Sequence, residues 1–109
     1  MGWEYQLNYL TPKLLSRTEL DLLQKSLHVV TDKRLKVELI KTENETFEYG
    51  FNFSDVAKHE WIWDGHLYLN NYCGLLVFHE KEPKHISFII QFLKNLFREK
   101  SIEIIIEEL

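Results

Sequence analysis

The chain has 109 residues with 13 Lys+Arg, 17 Asp+Glu, five His, four Gly, two Pro, one Cys and 45% apolar residues, for a net charge of −4. That is one domain's length, with too much apolar and too little Gly and Pro for a disordered or collagen-like chain. The lone Cys73 excludes an internal disulfide. The longest apolar runs, 75–78 and 104–106, are far below the ~20 residues of a bilayer span. With no basic-then-apolar leader, lipidation box or disulfide framework, the expected setting is reducing and cytoplasmic.

Residues 3–9 alternate Trp3, Tyr5, Leu7 and Tyr9 with Glu4, Gln6 and Asn8, the period of a half-buried strand. Thr11-Pro12 ends it. Ser16-Arg17-Thr18-Glu19 is a capping box, and Leu20, Leu23 and Leu27 give the helix that follows an apolar stripe. A second strand is expected over 34–41, a turn at 42–44, and a third strand with Phe47, Tyr49, Phe51 and Phe53 on one face and Gly50 as a candidate bulge. Residues 54–58 read as a loop or single turn. Asp64-Gly65, between 61–63 and 66–69, has the residue types of a two-residue hairpin turn.

Asn70-Asn71 breaks the chain again, and 72–80 forms a strand whose centre, 75–78, is apolar on both sides and therefore expected to be central and covered. Pro83 opens a second helix with Ile86, Ile89, Ile90, Leu93 and Phe97 inward. Residues 102–107 close the chain as a strand. The order β-α-β-β-(β-β)-β-α-β over 1–109 specifies one α+β domain: a mixed, mostly antiparallel sheet of six or seven strands with two amphipathic helices on one face. The second helix has the length to act as a crossover, with the strands on either side of it running parallel.

The charge is uneven. Residues 1–42 carry +2, residues 43–82 carry −6, and residues 83–109 are neutral. The acidic middle also holds nine of the fifteen aromatic rings. Carboxylates mixed with Trp and Tyr suit a basic protein partner, because the acids steer a cation and the rings anchor it at small entropy cost. The expected interface is Glu43, Glu45, Asp55, Glu60, Trp61, Trp63, Asp64, His66 and Tyr68. The competing explanation makes the rings core and the acids a solvated face.

Other chemistry finds little support in the spacing. The groupings His79-Glu80 with His85 and His59-Glu60 with His66 lack the HExxH spacing, and Cys73 has no thiol partner. Cys73 and His79 sit too far apart along one strand face to act as a nucleophile pair. Gly2, Gly50, Gly65 and Gly74 form no phosphate loop, and Lys33-Arg34-x-Lys36 is short for an RNA-binding stripe. The Asn-x-Thr/Ser triplets at 44 and 52 carry no meaning without secretion. No cofactor, metal or nucleic acid is expected.

In size, charge and element order the chain resembles the bacterial immunity proteins that neutralise toxins of contact-dependent and secreted competition systems, with the acidic, aromatic residues 43–64 as the shared feature. Those families differ in fold, so the resemblance assigns no residue. It implies a one-to-one complex with a cognate basic toxin, such as a nuclease, bound at or beside its active site. Two alternatives stand beside it: a homodimeric adaptor joined through an edge such as the third strand or the 61–64 hairpin, and a small enzyme or ligand carrier with its site near loop 55–59.

Overall fold

The computed structural model describes residues 3–10, 16–28, 34–44, 46–53, 63–79 and 82–109. Eight elements follow in chain order: β1 (Trp3–Tyr9), α1 (Arg17–His28), β2 (Leu35–Glu43), β3 (Thr46–Phe53), β4 (Gly65–Leu69), β5 (Cys73–Phe78), α2 (Pro83–Glu99) and β6 (Ile104–Glu108). The six strands form one sheet in the order β2-β3-β4-β5-β1-β6. Every neighbouring pair is antiparallel. This is an α+β fold. The sheet is not mixed: β5 and β6, on either side of α2, point the same way, but β1 lies between them and pairs with both.

Alternation decides which side chains meet the helices. Tyr5, Leu7, Tyr49, Phe51, Phe53, Leu67, Leu69, Leu76, Phe78 and Ile104 all face one side of the sheet. There they form one core with Leu23 and Leu27 of α1 and Ile86, Ile89, Leu93 and Phe97 of α2. Aromatic edges knit the layers: Phe78 meets Tyr5 at 5.8 Å and Phe51 at 5.5 Å between ring centroids. His85 of α2 stacks on Phe53 at 4.3 Å. Arg34 sits 4.5 Å above the Phe88 ring, a cation–π contact at the same end.

The helix ends follow their sequence signals. Ser16 Oγ accepts from the Glu19 N–H at 3.1 Å while Glu19 Oε1 accepts from the Ser16 N–H at 3.0 Å, closing the capping box. Pro83 occupies the first turn of α2, and Glu82 caps it by accepting from the Lys84 N–H. The Ile102 N–H returns to the Phe97 carbonyl, with Ser101 in the left-handed region at φ 61°.

Three further expectations fail, the two about glycines on packing and the third on strand order. Gly65 makes no hairpin turn: none of the described glycines has positive φ, and Gly65 is the first residue of β4, opposite Phe51 and Phe78. It is small because a Cβ there would strike the Phe51 ring and the Val77 carbonyl. Gly50 is no bulge. The irregularity falls in β2 between Leu39 and Lys41, and Gly50 instead leaves room for the Trp63 indole and the Ile40 side chain. Finally, β3 is interior, paired by β2 and β4, and among the described residues the outermost strands are β2 and β6.

Candidate functional site: the helix-free sheet face

The residues between the inward ones point to the other side of the sheet, over which no described helix or strand packs. Strand register places them as a grid. One row across the sheet runs Glu38, Gly50, His66, Val77, Glu4; the next runs Lys41, Glu48, Tyr68, Leu75, Gln6, Glu107. The middle strands β4 and β5 thus contribute His66, Tyr68, Leu75 and Val77, all half-buried. Trp63 extends the stripe by laying its ring over Gly50 beside Ile40. His79 closes it, edge-on to His66 at 5.0 Å between centroids.

Carboxylates flank this stripe. Glu38 and Glu48 lie on the β2–β3 side, Glu4 and Glu107 on the β1–β6 side. Glu38 pairs with Lys36 at 2.9 Å on the same exposed strand. Glu48 Oε2 stands 3.3 Å from His66 Nδ1, and both side chains are largely covered, at 23% and 18% exposure. That nitrogen is buried and makes no hydrogen bond, so the contact is one of proximity. Burial, and then the negative charge of Glu48, raises the Tyr68 phenol above its usual 10.0. An apolar, aromatic centre with a charged rim is the anatomy of a protein-binding surface.

Of the expected interface residues, Trp63, His66 and Tyr68 come together on this face. Asp64 does not join them as a steering charge: its Oδ2 accepts the Phe53 N–H at 2.7 Å, its own N–H donates to the Phe51 carbonyl and to Asn52 Oδ1, and its carbonyl accepts from His79. It braces the junction of β3, β4 and the end of β5. Glu43 sits at the far tip of β2, bound at 2.7 Å to Lys41, whose ammonium holds its carboxyl below the usual range. Glu45, Asp55, Glu60 and Trp61 lie outside the described residues, as do loop 54–58 and the 61–62 half of the expected hairpin.

Sequence reasoning missed Glu4, Glu48, Leu75 and Val77. Alternation within each strand assigns them to a face, but only the order β3-β4-β5-β1 makes those faces adjacent. The strand around 75–78 is central, as expected, and of the expectation that it is covered on both faces or along much of its length, Leu76 and Phe78 are buried while Leu75 and Val77 on the other face are half-buried. Among the described residues no group of three or more His, Cys, Asp or Glu is arranged to hold a metal ion, and no helix is long and apolar enough to cross a membrane. Comparison with family models, with curated proteins and with solved structures found no significant match.

Proposed function

We propose that this chain is a protein-binding domain of the immunity or inhibitor kind, which docks and neutralises a basic partner such as a nuclease toxin in the cytoplasm, without catalysis of its own. One observation carries the reading: the Trp63-His66-Tyr68-Leu75-Val77 stripe, rimmed by Glu4, Glu38, Glu48 and Glu107, lies on the sheet face that both helices leave uncovered. The carboxylates steer a cationic surface into place, and the rings supply desolvated anchor area. The same charges disfavour nucleic acid.

Co-expression and pull-down with the product of the adjacent gene, followed by calorimetry at low and high salt, tests it. A tight complex weakened by salt is expected. No complex, or one indifferent to both salt and the Glu4, Glu48 and Glu107 charges, contradicts it. A self-associating subunit is the second reading, and the β6 edge favours it. β2 is blunted by its irregularity at Ile40 and the pairs Lys36–Glu38 and Lys41–Glu43, whereas β6 carries no lysine and leaves Ile105 exposed and Ile106 half-buried. Concentration-dependent mass in light scattering supports that reading.

A further inference from the structure

Next to the aromatic stripe the open face holds a hollow of about 310 Å3, walled by Gln6, Tyr68, Asn70, Cys73, Leu75 and Leu109. Tyr68 forms one wall, and on its other flank, directly opposite in the ladder, stands Glu48. Among the described residues the basic groups nearest this carboxylate give it charge but no hydrogen bond. Lys41 is its partner in register on β2 and its charge reaches Glu48, yet the Lys41 ammonium makes its hydrogen bond to Glu43 at 2.7 Å. His66 approaches to 3.3 Å without forming a hydrogen bond. A carboxylate largely withdrawn from water gains most from a charged donor that brings N–H groups to it.

We propose, resting on the docking reading above, that this spot seats an arginine side chain of the partner, its stem along Tyr68 and the hollow and its guanidinium on Glu48. Arginine fits better than lysine for three reasons. The planar fork gives a carboxylate two parallel hydrogen bonds, it stacks on a phenol ring, and it sheds its hydration more readily than an ammonium. The aliphatic stem matches the wall of Leu75 and Tyr68, which a short cation would leave unfilled.

The test needs no partner protein. Isotope-labelled protein is titrated with acetyl-arginine methylamide and, separately, with acetyl-lysine methylamide, and NMR shifts are followed. The arginine compound is expected to move Glu48, His66, Tyr68 and Leu75 and to bind several-fold tighter than the lysine compound. E48Q weakens it about fivefold to tenfold, the scale of one charge-assisted contact, while E99Q at the end of α2 leaves it unchanged. Equal binding of the two compounds, shifts spread over all surface carboxylates, or an E48Q variant that binds as well as the parent overturns the arginine seat. Failure here alongside a salt-sensitive protein complex overturns the seat alone. An intact seat without any such complex overturns the docking reading instead.

Discussion

Leu75 and Leu76 are adjacent in β5, and they end in different worlds. Leu76 is fully buried, opposite Leu67 and Tyr5 under the helices, while Leu75 is half-buried on the open face between Tyr68 and Gln6. The same split runs through the glycines of neighbouring strands: Gly65 makes room for Phe51 on the inner side, and Gly50 makes room for Trp63 on the outer one. One face has its apolar area closed off by α1 and α2 and supplies stability. The other keeps half-buried rings and carboxylates that neither helix covers, and on the proposed reading its residues serve binding more than folding.

Core truncation breaks this contrast most sharply. Leu76→Ala is expected to cost about 2–5 kcal/mol in urea unfolding, because it leaves a cavity in a fully packed layer. Leu75→Ala should stay under about 1 kcal/mol, and similar costs for the two would erase the distinction. The glycines give the next effect. Gly65→Ala places a methyl against the Val77 carbonyl and the Phe51 ring, for a loss of about 1–3 kcal/mol. Gly50→Ala meets the half-buried Trp63 indole, so a smaller loss is expected together with a change in tryptophan emission.

Titration of the buried phenols ties stability to pH. Burial raises the phenols of Tyr9 and Tyr49 above their usual 10.0, with a nearby Cys73 adding to it for Tyr9. Groups whose folded pKa is raised stabilise the fold fully below the unfolded value and lose that contribution as pH climbs through the folded one. Circular dichroism should therefore show unfolding setting in above pH ~10, with phenolate absorbance appearing together with it. Absorbance rising to completion with the fold intact would contradict the placement. Smallest of all on stability is the exposed rim: Glu4→Lys and Glu107→Lys should each stay within about 0.5 kcal/mol, while together they weaken partner binding.

Much of the fold was legible because its cues are local. The capping box at Ser16, Pro83 at the start of α2 and the alternation in β1 and β3 each act within a few residues, and each element formed where its pattern lies. The errors arose where a residue answers to a distant one. Gly65 and Gly50 look like turn and bulge residues until Phe51, Val77 and Trp63 are brought beside them. The site was half legible for the same reason. Trp63, His66 and Tyr68 stand close in sequence, but Leu75, Val77 and Glu4 join them only through strand pairing, and Asp64 proved to be occupied by the Phe53 N–H.

The central claim is that the helix-free face is the binding face, and hydrogen–deuterium exchange of the protein alone and in complex with its captured partner tests it most directly. The account predicts new protection in β3, β4 and β5 around Glu48, His66, Tyr68 and Leu75, with α1 and α2 unchanged. Protection confined to the exposed sides of α1 and α2, with the open face exchanging as before, would contradict it.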